Sequence, residues 1–298
     1  MTTITVSTPT KITFPSSTLR ISGELYSPLS NSPSRNGAAV VISHPMTGVK
    51  EQTPPTTPGK STGSPRCLED PTQRAEDIRA AVTYLATAAV LKGKVDPGRV
   101  GVLGICASGG YASFAVQADS RVKALATVSA ACVGRITRNG DLHKENNKEV
   151  PEAISRALQV AGQWRNSTAG KEGESGETPR MFDAKQLPDN ADSFFKDAAA
   201  YYGSERGCHP RSDQRVPLPS YDLMDNYGSF NFQHLISPRP LSMVAGADTQ
   251  TLHYSEAAVA AARDPKKLFV VQGKNHFDLY DNLSVSGPKL VEFFGKYL

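Results

Sequence analysis

Arg99-Val100-Gly101-Val102-Leu103-Gly104-Ile105-Cys106-Ala107-Ser108-Gly109-Gly110 is the stretch on which the reading of the fold turns. Through Gly104 it is an apolar run of strand length, suited to a strand buried on both faces. Ala107 to Ala118 then carries the small and apolar residues of a helix packed tightly on a sheet. A strand that passes into a helix this abruptly must turn sharply, and the turn leaves room only for small residues two before and two after its apex. Gly104 and Ser108 fill those positions, so the apex is Cys106, presented at the strand end as a nucleophile. The helix N-terminus behind it would favour a thiolate. Two other readings compete. Most free cysteines are small buried hydrophobes, and a register two residues later would make Ser108 the nucleophile. That register sets Cys106 where a glycine is needed and starts the turn inside the helix.

Working outward, Ala38 to Ser43 is another short apolar run, stopped by His44-Pro45-Met46-Thr47-Gly48, and Ala124 to Ser129 is a third. Ile78, Ala81, Val82 and Leu85 stand at helical spacing in a helix over Pro71 to Ala89, with Asp70 as N-cap and Pro71 at the first position. Strand, helix, strand, helix, strand implies parallel crossovers and an α/β architecture, a mostly parallel sheet flanked by helices. Short alternating segments at Ile4 to Val6, Lys11 to Phe14 and Leu19 to Tyr26 precede it as antiparallel strands. From about Ile136 to Leu235 the sequence turns to charged, gapped segments with weak helices, including Val150 to Gln163 and the polar Thr168 to Thr178. This predicts a helical cap at 136–235 inserted between core segments 1–135 and 236–298. Strands return at Pro240 to Gly246 and Lys267 to Val271, with helices at Ser255 to Ala262 and Ser286 to Tyr297.

The chain has 298 residues, 39% hydrophobic and 21% charged, enough for one large α/β domain with an inserted cap. Its formal charge of +4 is small and scattered, which argues against nucleic acid as a partner. No run approaches the roughly 20 apolar residues of a membrane span, and MTTITVSTPTKITF at the start lacks the apolar centre of a signal peptide. The expected location is the cytoplasm, where Cys67, Cys106, Cys132 and Cys208, at wide irregular spacings, stay thiols rather than zinc ligands or a disulfide framework.

A nucleophile at such a turn needs a base after the last strand and an acid after an earlier one. His276, in Asn275-His276-Phe277-Asp278, follows the strand ending at Val271, and Asp248 follows the strand ending at Gly246. The base would take the Cys106 proton or form an ion pair with the thiolate, and Asp248 would fix its tautomer. Asp278 and Asp281 rival Asp248 but stand so near His276 that they read better as loop or capping groups. An oxyanion hole needs two backbone N–H donors: Ala107 supplies one, and Met46 or Thr47 the other. His44, at a strand end, reads as a structural histidine.

HPMTGVKEQ, LEDPTQRAEDIRAAVTYL, VGVLGICASGGYA, KALATVSA, Gly207-Cys208-His209-Pro210-Arg211-Ser212 and QGKNHFDLYDN together resemble the bacterial YcjY-type α/β hydrolases and their fungal relatives, the polyketide transferases. The resemblance covers nearly the whole chain. It implies an α/β-hydrolase fold, no cofactor, and cysteine in place of serine at the turn. It further implies a small-molecule acyl thioester or ester substrate in secondary metabolism, delivered by a polyketide synthase carrier domain. A small-ester esterase of dienelactone-hydrolase type, or a catalytically impaired binding protein, are the alternatives. One departure stands out: after HPxxGxKEQ the family carries a helix and a parallel strand, whereas residues 53–65 here are TPPTTPGKSTGSP, whose four prolines exclude both. One helix and one strand are therefore expected to be missing near residues 53–65.

Overall fold

A computed structural model of the chain describes residues 7–48, 67–139, 142, 150–168, 180–185, 187–210, 212 and 214–298. Strands β1 (Thr10–Ser16) and β2 (Leu19–Leu25) form an antiparallel hairpin. Strands β3 (Ala39–Ser43), β4 (Val100–Ile105), β5 (Val122–Val128), β6 (Leu241–Gly246) and β7 (Lys266–Val271) form a separate parallel sheet in the order β3-β4-β5-β6-β7. Every residue of β4 and β6 is buried, as unbroken apolar runs in the middle of a parallel sheet should be. The architecture is the expected α/β one, with helices on both faces.

Helix α1 (Pro71–Thr87) starts as its sequence dictates: the Asp70 carboxylate accepts from the N–H groups of Thr72 and Gln73 at 2.9 and 3.1 Å, with proline next in line. It buries Ala75, Ile78, Ala81, Val82 and Leu85 against the sheet. Helix α2 (Ala107–Ala118) is buried on nearly every side, which its run of Ala, Gly and Ser permits. After β5 come α3 (Val133–Asn139), α4 (Pro151–Thr168), α5 (Ser193–Tyr202) and α6 (Ser220–Asp225), all between β5 and β6. The chain then closes through α7 (Leu252–Ala261), the short α8 (Asp278–Asp281) and α9 (Ser286–Tyr297). No helix among the described residues is long and apolar enough to cross a membrane.

Three expectations fall outside the described residues: the strand at Ile4 to Val6, most of the polar helix over 168–178, and the proline-rich loop at 53–65. Among the described residues β3 is hydrogen-bonded only to β4, and the β1-β2 hairpin joins neither edge of the parallel sheet. Between hairpin and β3 lies a cavity of about 960 Å³, bordered by Phe14 of β1, Leu25 of β2, Val41 of β3 and Leu85 of α1. A second, of about 340 Å³, opens on the other face of β3, between Val40 and Ile42 on one side and Leu290 and Phe294 of α9 on the other.

Candidate active site

Because the five strands run parallel, their C-terminal ends meet along one border, and the loops after β3, β4, β6 and β7 carry the candidate residues there. Cys106 is the apex of the turn between β4 and α2, with φ 58° and ψ −126°, a left-handed conformation that a non-glycine residue adopts only when its surroundings impose it. The imposed geometry explains Gly104. A Cβ there would stand 2.2 Å from the Ser108 carbonyl oxygen, so the α2 backbone can fold back over the strand only because none exists.

Ser108, the alternative apex, is fully buried and committed elsewhere. Its Oγ meets Ser43 Oγ at 2.9 Å, Arg74 Nη2 at 3.1 Å and the His44 carbonyl. His44 is likewise buried, its ring beside the Arg74 guanidinium, and Arg74 donates to the His44 carbonyl at 2.9 Å. Arg74 Nε lies 3.6 Å from Glu69, a carboxylate only 2% exposed. These residues form a polar layer beneath the turn that the sequence reading did not anticipate beyond His44.

The backbones of Ala107 and Met46 act on the Cys106 thiol, each lowering its pKa as a hydrogen-bonding N–H would. Of the two candidate donors after β3, Met46 is the one whose backbone bears on the Cys106 thiol. Thr47, held at φ 62°, turns its hydroxyl to the Met46 carbonyl and to Gln214 instead, and its carbonyl accepts from Ser212 at 2.7 Å. The expectation of a resting thiolate is not met. Removal from water raises the Cys106 pKa above that of an ordinary thiol, outweighing the two N–H donors and a hydrogen bond with the Tyr280 hydroxyl, all of which lower it. The resting group is a neutral thiol.

His276 is 1% exposed. Its ring is packed edge-to-face on Phe194 of α5, with centroids 5.1 Å apart, and against Phe277 and Tyr280. Burial lowers its pKa to about 3, so the imidazole is neutral as well. Both ring nitrogens are occupied: Nδ1 is 2.6 Å from Thr251 Oγ1, and Nε2 is 2.8 Å from the Tyr280 hydroxyl. Thr251 Oγ1 is in turn 3.0 Å from Thr249 Oγ1. Gly246 permits this meeting of the last two loops, since a Cβ at its position would lie 2.1 Å from the Lys274 carbonyl oxygen.

Asp248 is exposed, and its N–H donates to the Lys274 carbonyl at 3.0 Å. No hydrogen bond joins its carboxylate to His276 among the described residues; the partner of Nδ1 is Thr251. Asp278 and Asp281 hold Arg206, at 3.3 and 2.8 Å, and so tie the segment after α5 to α8. Tyr280 and Thr251 escaped the sequence reading. Tyr280 stands four residues after His276 in HFDLY, a spacing that could have flagged it, while a threonine in a polar loop carries no such mark.

No family model matches the sequence. Protein PA2218 of Pseudomonas aeruginosa is 31% identical over 302 aligned positions, covering 94% of this chain and 78% of that protein. Its crystal structure superposes with a TM-score of 0.85 at 29% identity, covering 99% of this chain and 96% of the other. Escherichia coli YcjY is 32% identical over 294 positions, covering 91% of this chain and 92% of its own. An alignment of 294 positions that uses 91% of 298 residues leaves about 23 positions of YcjY without a counterpart here. The α/β hydrolase GrgF from Penicillium shares the fold, with a TM-score of 0.77 at 18% identity over 98% of this chain and 99% of that one.

Proposed function

We infer the function from the premise that this chain belongs to the α/β-hydrolase family of YcjY and PA2218. It is an acyl-handling enzyme that works through an acyl-cysteine at Cys106. The observation that carries the reading is the strained apex at Cys106 with two backbone N–H groups, from Ala107 and Met46, aimed at its sulfur. Donors placed there lie next to the atom where an attacked carbonyl would develop negative charge.

In this mechanism the Cys106 sulfur attacks the carbonyl carbon of a thioester or ester, and its proton is passed to His276. The oxyanion rests on the Ala107 and Met46 amides. Collapse expels the leaving thiol or alcohol, which takes the proton back from His276. Water then releases an acid, or a bound alcohol takes the acyl group. Thiol-to-thiol exchange is nearly isoenergetic, so a cysteine nucleophile suits a thioester donor. A neutral starting pair is compatible with this, because charge then appears only as the bond forms. Thr251, rather than a carboxylate, holds the imidazole tautomer, and Asp248 has at most an indirect part.

The aromatic wall of Phe194, Phe195 and Tyr202 from α5 and Phe182 from the turn before it, reaching His276 and Phe277 through Phe194, supports an apolar acyl chain as the substrate. The family resemblance makes that chain a polyketide thioester brought by a carrier domain. No cofactor enters the scheme. The test compares hexanoyl-N-acetylcysteamine with p-nitrophenyl acetate. A higher kcat/KM for the thioester is expected; preference for the small oxygen ester would favour an ordinary esterase. A folded protein that turns over neither would favour a binding role.

A further inference from the structure

We propose that Gln214 and Ser212, on the inserted segment, are positioning residues for the second oxyanion donor: they hold Thr47 in its left-handed conformation and so fix the turn that carries the Met46 amide. The inference rests on the acyl-cysteine reading above. Pro45 to Gly48 is a four-residue turn, closed by the Gly48 N–H on the Pro45 carbonyl at 3.2 Å. Thr47 stands at its third position with φ 62°, where a turn of this hand asks for glycine or asparagine. A β-branched residue stays there only when its surroundings impose it. Thr47 is fully buried, and the groups that grip it come from the insertion.

Three hydrogen bonds make a closed ring that begins and ends on Thr47. Its hydroxyl donates to Gln214 Oε1 at 2.5 Å, sharing that proton with the Met46 carbonyl at 2.6 Å. Gln214 Nε2 donates to Ser212 Oγ at 2.6 Å, and Ser212 Oγ donates to the Thr47 carbonyl at 2.7 Å. This order leaves the Gln214 amide one orientation, because Ser212 gives its proton to Thr47 and must accept from Gln214. The ring grips both the side chain and the carbonyl of Thr47, which sets its dihedral angles as well as its position. The gripping segment is itself held: Gln214 is buried, and its carbonyl accepts from the Met181 N–H at 2.9 Å. On the other flank of the turn, Arg74 of α1 donates to the His44 carbonyl at 2.9 Å. Pro45 and Met46 are therefore suspended between two anchors, one in the core and one in the insertion. Ser212 ends the stretch Gly207 to Ser212, which otherwise has no part in the reaction scheme.

Gln214→Met keeps the length of the side chain and removes both of its bonds in the ring. With hexanoyl-N-acetylcysteamine we expect kcat to fall at least about 10-fold, short of the roughly 100-fold that deleting a donor outright costs, with KM within about threefold. Alkylation of Cys106 by iodoacetamide, followed by mass spectrometry, develops no oxyanion and should stay within about twofold of wild type. A general distortion of the site would slow both reactions together. Should Gln214→Met fail to fold, Ser212→Ala carries the same comparison, with an expected loss of at least about threefold in kcat alone. The conformational part is read at Thr47. Thr47→Val keeps the branch and loses the hydroxyl, whereas Thr47→Gly adopts a positive φ unaided and should retain at least about fivefold more kcat. A loss under about threefold in the Gln214 or Ser212 variant, Thr47→Gly no better than Thr47→Val, or Cys106 alkylation that falls in step with turnover would each overturn the clasp. The underlying reading fails separately: Cys106→Ala that keeps activity removes the cysteine mechanism itself, whereas an inactive Cys106→Ala beside a fully active Gln214→Met removes only the clasp.

Discussion

Taking the protein from pH 7 to pH 4 should cost it about 3 kcal/mol through His276 alone. In the folded state burial holds this imidazole at a pKa of about 3, whereas in the unfolded chain it returns to about 6.5. Above pH 6.5 neither state binds the proton and no stability is lost. Below it the unfolded chain takes up a proton that the folded protein refuses until about pH 3, so stability falls as pH falls across that window. At about 1.4 kcal/mol per pH unit over the roughly two and a half units from 6.5 to 4, the loss is about 3 kcal/mol. That is a large part of a typical total of about 5–15 kcal/mol. Tyr280, whose hydroxyl is 2.8 Å from the ring, stays neutral throughout and does not offset it. Urea unfolding of wild type and His276→Gln at both pH values isolates the term, since carboxylates elsewhere titrate in both proteins. The wild type should lose about 3 kcal/mol more than the variant. Equal losses, or a His276 imidazole that titrates above pH 5 by NMR in the folded protein, would refute the neutral buried imidazole.

Cys106→Ala should abolish thioester turnover, while Ser108→Ala leaves at least a tenth of it; the converse result in a kcat measurement would move the nucleophile. Thr251→Val should lower kcat about 10- to 100-fold, the equivalent of one buried hydrogen bond of about 1–3 kcal/mol, and Asp248→Asn by less than about threefold. An equal or larger loss in Asp248→Asn would return the tautomer-fixing role to that carboxylate. Gly104→Ala forces a Cβ into the α2 backbone, and calorimetry should register a loss of about 3 kcal/mol or more. Inserting a helix and a strand between Gln52 and Gly63 should raise both the melting temperature and the activity. The chain as it stands should melt low, and a cooperative transition above about 60 °C, near the top of the usual mesophile range, would show that the sheet needs no further strand.

Much of the fold was legible because it rests on local patterns. The all-apolar β4 and β6 runs, the Asp70-Pro71 helix start and the small residues flanking Cys106 each have one physical explanation, and the structure carries all of them. The convergence of the loops after β4 and β7 followed from strand order alone. What could not be read was which partner each side chain meets within a loop. Asp248 has the right chemistry and the right strand, yet the backbone after Gly246 turns its carboxylate outward and brings Thr251 to the imidazole. The neutral state of Cys106 was also hidden. A helix N-terminus is visible in a sequence, but the surroundings that oppose it include Tyr202 and Tyr280, which arrive from distant segments.

The outer position of β3 reaches further than the cavity beside it. Among the described residues its backbone is tied to the sheet along one side, through the pairs from Ala39↔Val100 to Ser43↔Gly104, while β4 is held on both. Strands held by a single ladder are the ones whose amides exchange with solvent first, at a local opening free energy below that of the whole domain. The chain leaves β3 directly into His44-Pro45-Met46, so the Met46 amide moves with that edge. In native-state hydrogen exchange Val41 should therefore exchange ahead of Val102. The fraction of molecules holding a complete pair of oxyanion donors at any instant is then set by the opening equilibrium of this one strand, and an acyl chain whose carbonyl engages the Met46 amide would slow exchange along β3 while leaving β5 untouched.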